Sequence, residues 1–299
     1  MDGIIPVWKE RGMTSHDVVF RLRWILKEKK IGHTGTLDPD VDGVLVCCVG
    51  QATKLVELLT DKEKQYIGEI TLGFQTDTED ASGAVVKTEP LTEPFTKEAI
   101  QDTMKTLEGD IIQIPPMYSA VKVNGKRLYE YARAGEVVER PKHQIHVEQF
   151  TLTDTPVFHS DSSYQSFHFL VTCGKGTYVR TLATDLGAAL GVPATMTDLT
   201  RIQSSPYRTK DCVTLKDIEE RIQTNDWSFL QPLESALTKY PIWQVPESLE
   251  RLVRNGAVLH QTQLPDQLPV RAYVQGTLTA IYAKHPTQIG EVKPLRMFK

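Results

Sequence analysis

Three groups of residues in this 299-residue chain have types and spacing that could do chemistry. The first is Asp38, in the stretch Ile31-Gly32-His33-Thr34-Gly35-Thr36-Leu37-Asp38-Pro39-Asp40-Val41-Asp42-Gly43. Pro39 pushes the residue before it out of the α region, so the Asp38 carboxylate sits on extended or turn backbone. Gly32, Gly35 and Gly43 let the backbone pass close to another molecule. The apolar run at 44–49 then anchors the loop in a core. A carboxylate on a tight, tethered loop is a common catalytic arrangement. The same residue types also build ordinary turns, so the stretch alone leaves both readings open.

The second group is Gly174-Lys175-Gly176-Thr177-Tyr178-Val179-Arg180, a Gly-rich loop entering a helix. Thr177 is the expected N-cap, and Val179, Leu182, Leu186, Ala189 and Leu190 form the apolar stripe. Arg180 falls in the first turn, off that stripe. A cation there opposes the helix dipole by about 0.3–1 kcal/mol, so a compensating anion is expected nearby.

The third group is cationic. Lys27, Lys29 and Lys30 form one cluster, Lys122, Lys126, Arg127, Arg133, Arg140 and Lys142 a second, and Lys293, Arg296 and Lys299 close the chain. A net charge of −4 argues against a nucleic-acid binder if read globally, but distribution matters more than the total. Such runs are also ordinary solvated surface, so they keep an RNA partner open without establishing one.

These groups must be held by a folded body. The length suits two domains, or one large domain with an appendage. With 40% hydrophobic and 24% charged residues, the chain has enough apolar side chains for a sizeable core. No apolar run is long enough to span a bilayer, and the N-terminus lacks the basic and apolar regions of a signal peptide. Cys47, Cys48, Cys173 and Cys212 have no metal-ligand spacing and read as reduced thiols of a cytoplasmic protein.

Periodicity places the elements. Thr14-Ser15-His16-Asp17 resembles a capping box, and Val18, Val19, Leu22, Ile25 and Leu26 follow at helical spacing. A short helix is expected around 53–60 and a strand over 64–74, with Tyr66, Ile70, Leu72 and Phe74 on one face. Residues 76–83 read as a polar loop and 97–107 as a helix. Asn124-Gly125 signals a hairpin leading into a helix at 128–134. Strands are expected at 145–152 and 166–173, and a helix after Thr214. Past Pro241, short apolar runs broken by Gly and Pro suggest a small β-rich domain. The irregular alternation of strands and helices predicts an α+β fold with a mixed, largely antiparallel central sheet.

Together these motifs resemble the TruB family of tRNA pseudouridine synthases. The resemblance rests on GHTGTLDPDVDGVL, Lys64-Gln65-Tyr66, QIPPMYSAVKVNGKRLYEYARAG and GKGTYVRTLATDLG, in family order across nearly all of the first 210 residues. It implies a catalytic body over 1–238, an RNA-gripping insertion over 116–141 and a PUA-like RNA-binding domain over 240–299. It further implies isomerisation of the T-loop uridine at tRNA position 55, with no metal, nucleotide or redox cofactor, no membrane and no required protein partner. A cytoplasmic monomer is expected. By resemblance, Asp38 acts at the glycosidic bond, Arg180 pairs with it and Tyr66 stacks on the target base. His33 takes the place of the flipped uridine, while Lys64 and Tyr178 contact the flipped nucleotide and Leu199 walls the pocket. Lys126 and Arg127 contact backbone phosphates. Alternative readings are a synthase for another RNA and an RNA-folding helper. Departures from the family pattern are Val41, Asp42 and the lack of a glycine before the aromatic residue in Arg201-Ile202-Gln203-Ser204-Ser205-Pro206-Tyr207; the extra charge of Asp42 is expected to raise the Asp38 pKa unless Arg180 or solvent screens it.

Overall fold

The computed structural model describes residues 1–298, so Lys299 of the closing basic cluster lies outside them. Strands β1 (Gly3–Lys9) and β2 (Asp42–Val49) are nearly continuous apolar runs and pair antiparallel, Gly3 opposite Val49 and Lys9 opposite Gly43. Runs of this kind belong where both faces are covered. One face, with Ile5, Val7, Leu45 and Cys47, packs on Val18 and Leu22 of helix α1 (Ser15–Leu26). The other face, with Ile4, Val44 and Val46, packs on Leu55 and Leu59. The capping box forms as expected: the Asp17 amide donates to the Thr14 hydroxyl at 3.1 Å, and the Thr14 amide donates to the Asp17 carboxylate at 2.8 Å.

Five more strands form the rest of the central sheet's main path, β3 (Lys64–Leu72), β4 (Gly109–Gln113), β5 (His143–Leu152), β6 (Tyr164–Cys173) and β7 (Ala194–Ser204), and the short strands Ile31–His33, Val157–His159 and Tyr207–Arg208 pair beside it. Their order is β1–β2–β7–β3–β6–β5–β4. Every neighbouring pair is antiparallel except β2 with β7, which run parallel through Asp42–Thr200 and Gly43–Arg201. The expected mixed, largely antiparallel sheet is therefore present. The remaining helices are α2 (Val56–Thr60), α3 (Lys97–Thr106), α4 (Leu128–Ala134), α5 (Val179–Leu190), α6 (Leu215–Gln223) and α7 (Glu247–Arg254). Ile100 and Met104 of α3 and Leu182 and Leu186 of α5 join Ile70, Phe150 and Phe169 of the sheet in the largest core.

Some local expectations need correction. The strand at 64–74 ends at Leu72, because Gly73 takes φ +113°; Phe74–Thr76 then pairs in a separate hairpin with Val85–Thr88. Thr177 does not cap α5: Tyr178 is the N-cap residue and makes no side-chain cap. The Gln113 side chain serves that end instead, accepting from the Tyr178 amide at 2.8 Å and donating to its carbonyl at 3.1 Å. Arg180 is 5% exposed, so it belongs to the buried face of α5. Asn124-Gly125 does make the predicted hairpin, both residues having positive φ.

After residue 240 a second sheet forms from β8 (Ile242–Gln244), β9 (Leu259–His260), β10 (Val270–Val274), β11 (Thr277–Lys284) and β12 (Glu291–Met297), in the order β8–β10–β11–β12–β9. Gln275-Gly276 turns β10 into β11, whereas Asn255-Gly256 ends helix α7. Trp243, Val253, Val270 and Tyr282 form this sheet's own core, while Leu278 and Ile281 pack with Val44 and Val46 of β2. Arg296 is fixed here, donating from Nε to the Lys54 carbonyl at 2.7 Å and pairing with Glu57.

Candidate active site

The Asp38 loop is held from below at several atoms. The Leu37 amide donates to Ser15 Oγ at 2.8 Å, and that hydroxyl donates to the Leu37 carbonyl at 3.2 Å. Lys9, fully buried, donates from Nζ to the carbonyls of Glu10, Met13 and Pro39 at 2.7–3.0 Å. The Gly12 amide donates to the same Pro39 carbonyl at 2.9 Å, and the Val41 amide to the Asp38 carbonyl at 3.1 Å closes the turn. Gly43 takes φ +116°, and a Cβ there would lie 2.2 Å from the Arg201 carbonyl, so only glycine fits where β2 meets β7.

Arg180 meets the loop from the first turn of α5. Its Nε lies 3.1 Å from Asp38 Oδ2 and its Nη1 3.5 Å from Asp80 Oδ2. It also donates to the Thr78 carbonyl at 2.9 Å and the Tyr118 carbonyl at 3.1 Å. The anion expected near this helix start is thus present twice. Asp80 comes from the segment read as a polar loop; it also accepts from the hydroxyls of Thr78 and Ser82, which hold it in place.

Asp38 opens onto a cavity of about 410 Å³ whose walls include Tyr66, Leu199, Lys64, Tyr178 and Arg180. Tyr66 and Leu199 are buried and supply apolar surface. Opposite Leu199 the sheet is pinched at Gly68, where a Cβ would lie 2.3 Å from the Asp198 carbonyl. Five of the residues singled out by sequence, Asp38, Tyr66, Lys64, Tyr178 and Leu199, therefore line one cavity with Arg180.

The other three lie apart. His33 ends the short strand Ile31–His33 and is half-buried, outside the cavity wall. Lys126 and Arg127 sit on the hairpin, where Lys126 pairs with Glu136 at 3.0 Å and lies over the Tyr131 ring at 4.5 Å. Arg127 donates to the Tyr129 hydroxyl at 3.0 Å. Tyr118 and Tyr129 from the same insertion reach the cavity wall, a connection that sequence spacing did not reveal.

Burial governs the charges. Asp38 keeps 43% of its side-chain surface open to the cavity, yet the protein packed behind it raises its carboxyl above the ordinary range. Arg180 opposes that rise, while Asp80, and to a lesser degree Asp40, add to it. Asp42 is itself screened: it pairs with Arg11 at 3.3 Å and accepts from the Thr200 hydroxyl at 2.6 Å. Burial brings Lys64 down to about 8, although its Nζ donates to the carbonyls of Thr60 and Lys62. Burial likewise lowers His33 and raises the phenols of Tyr66 and Tyr178.

Sequence reasoning missed Asp80, Gln113 and Arg201. Arg201 stands two residues beyond Leu199 on β7 and so shares its face, a period-2 signal that was legible. Asp80 and Gln113 act across long sequence separations and carry no local signal.

Comparisons with known proteins identify the family. The TruB family pseudouridylate synthase N-terminal domain matches residues 23–179, and the tRNA pseudouridylate synthase B C-terminal domain matches 180–238. The chain is 50% identical over 283 residues to tRNA pseudouridine synthase B of Pediococcus pentosaceus, covering 94% of each chain. It is 48% identical over 302 residues to that of Listeria welshimeri, covering 100% of this chain and 99% of the other. Among solved structures, a Cbf5-Nop10-Gar1 complex aligns with a TM-score of 0.73 at 26% identity, covering 99% of this chain and 84% of that one. By its matched domains and by near full-length identity to these relatives, the chain belongs to the TruB family of pseudouridylate synthases.

Proposed function

We propose that this protein isomerises uridine to pseudouridine in tRNA, at the T-loop uridine of position 55. One observation carries the reading: the Asp38 carboxylate, paired with buried Arg180, opens onto a cavity that also holds Tyr66. The near full-length identity to enzymes named tRNA pseudouridine synthase B supports it.

The chemistry follows from what the reaction must do. The N1–C1′ bond breaks, uracil turns, and a C5–C1′ bond forms; the base gives up the proton on C5 and gains one on N1. Atoms and electrons balance within the nucleoside, so the step needs a carboxylate and a shaped cavity. Asp38 must be ionised, either to attack C1′ or to stabilise charge there, and Arg180 supplies the opposing charge. Tyr66 stacks on the base and Leu199 closes the apolar wall, while Lys64 and Tyr178 hold the flipped nucleotide.

The remaining roles belong to the same reading. Residues 1–238 form the catalytic body, the insertion at 116–141 grips the T-arm through Lys126 and Arg127, and the PUA-like residues 240–299 add RNA contact. His33 fills the gap left by the flipped base, which requires its half-buried ring to move outward. The protein acts in the cytoplasm as a monomer without a protein partner.

Incubation of the purified protein with unmodified tRNA, followed by mapping of pseudouridine, tests the proposal. Product at position 55 with wild type, and none with Asp38→Asn despite retained tRNA binding, is expected. Product elsewhere redirects the substrate, and tRNA binding without product leaves only a folding helper.

A further inference from the structure

Arg201 is 1% exposed and is the bulkiest side chain so fully buried. Burying a cation is costly, and the usual remedy is a carboxylate partner. Arg201 makes no ion pair among the described residues; its guanidinium turns to backbone instead. Nε donates to the Val44 carbonyl at 2.7 Å, and Nη2 donates to the Gly35 carbonyl at 3.1 Å. Those carbonyls stand on the two arms of the Asp38 loop, one before the carboxylate and one after it. The same guanidinium faces the Tyr66 hydroxyl, favouring the phenolate against the effect of burial.

The surroundings leave this side chain little freedom. At Gly35, which takes φ +123°, a Cβ would stand 3.7 Å from Arg201 Nη1 and 3.2 Å from Lys64 Cε. The backbone of Arg201 lies against Gly43 in the only parallel pairing of the central sheet, among the described residues. An apolar residue of similar length would fill the volume without the desolvation cost. What it would lack is the planar fork that engages two carbonyls at once.

We propose that Arg201 is a positioning residue: its guanidinium ties both arms of the Asp38 loop together beside Tyr66, fixing the spacing of carboxylate and ring as a base enters. This rests on Asp38 acting at the glycosidic bond and Tyr66 stacking on the base.

The test is single-turnover conversion of unmodified tRNA, with tRNA affinity measured separately, for wild type, Asp38→Asn, Arg201→Lys and Arg201→Met. Arg201→Lys keeps the charge but loses the fork. It should bind tRNA within about threefold of wild type and convert it at least about tenfold more slowly; Arg201→Met should lose about a hundredfold, as small misplacements of reacting groups do. If Arg201→Met fails to fold, Arg201→Lys carries the test alone. Arg201→Lys at the wild-type rate overturns the proposal. So does a lowered melting temperature and product amplitude with an unchanged rate constant, since that is what a purely structural role would give. An inactive wild type, or an active Asp38→Asn, would instead overturn the underlying reading of the site.

Discussion

Replacing Arg180 with Met removes the charge opposite Asp38 while keeping most of the buried volume. At an effective dielectric near 20, opposite charges about 4 Å apart attract by about 4 kcal/mol. Asp38 keeps 43% of its side chain open to the cavity, so solvent screening reduces this to about 2 kcal/mol, or about 1.5 pH units. The shift is upward, because the form that loses its partner is the ionised one. Burial and Asp80 already press in that direction, and with Arg180 gone Asp80 is left without its counter-charge. The acid limb of the single-turnover pH–rate profile should therefore move up by about 1.5 units. The carboxylate also loses its positioning, so the rate at neutral pH should fall to about 1% of wild type or below. Arg180→Lys should leave the acid limb nearly in place yet remain slow, because a lysine cannot reach Asp38, Asp80 and two carbonyls together. An Arg180→Met protein with wild-type turnover and an unmoved acid limb would refute the pairing as a functional device.

Asp38→Asn should be at least as thermostable as wild type at neutral pH. The raised folded pKa means that Asp38 costs stability as pH climbs from its unfolded value of about 3.8 through its folded one, and the amide avoids that loss. A melting temperature several degrees lower at pH 7 but not at pH 3 would contradict this. Asp185, raised to about 6 by burial and by Glu79, follows the same sign, so Asp185→Asn should gain at most about 3 kcal/mol above pH 6 in denaturant melts; a loss would contradict it. Lys64, brought down to about 8, should lose its proton as pH rises through that value, weakening tRNA binding in filter assays. Lys64→Met should abolish that step, and its persistence would assign the step elsewhere. Neutralising Lys126 and Arg127 together should lower the salt slope of tRNA binding by about 1.4–1.8, and an unchanged slope would remove the hairpin from the interface.

Much of this architecture was legible because it is local. The Thr14 cap, the Asn124-Gly125 turn and the alternation through Tyr66 and Ile70 are short-range consequences of residue type. Arg180 was legible as an anomaly, since a cation in a first turn calls for an anion. That the anion is shared between Asp38 and Asp80 was not, because Asp80 sits in a segment whose polarity is that of any loop. The failed Thr177 cap has the same origin: its replacement, Gln113, stands on β4, 65 residues before Tyr178. The screening of Asp42 was not legible, because its partner Arg11 comes from a separate segment of the chain. Arg201 could have been found by following the two-residue period past Leu199.

The Tyr118 carbonyl accepts from Arg180 Nη2 at 3.1 Å, and Tyr118 belongs to the insertion proposed to grip RNA. Grip and chemistry thus share a joint. If the insertion shifts as it closes on the T-arm, the guanidinium beside Asp38 must follow or give up a bond. Linkage makes the traffic two-way: whatever free energy RNA binding spends on seating Arg180, the state of Asp38 returns to the grip. On the proposed reading, an RNA that drew the insertion away from the cavity would cost Arg180 its bond to the Tyr118 carbonyl and so loosen the partner of Asp38.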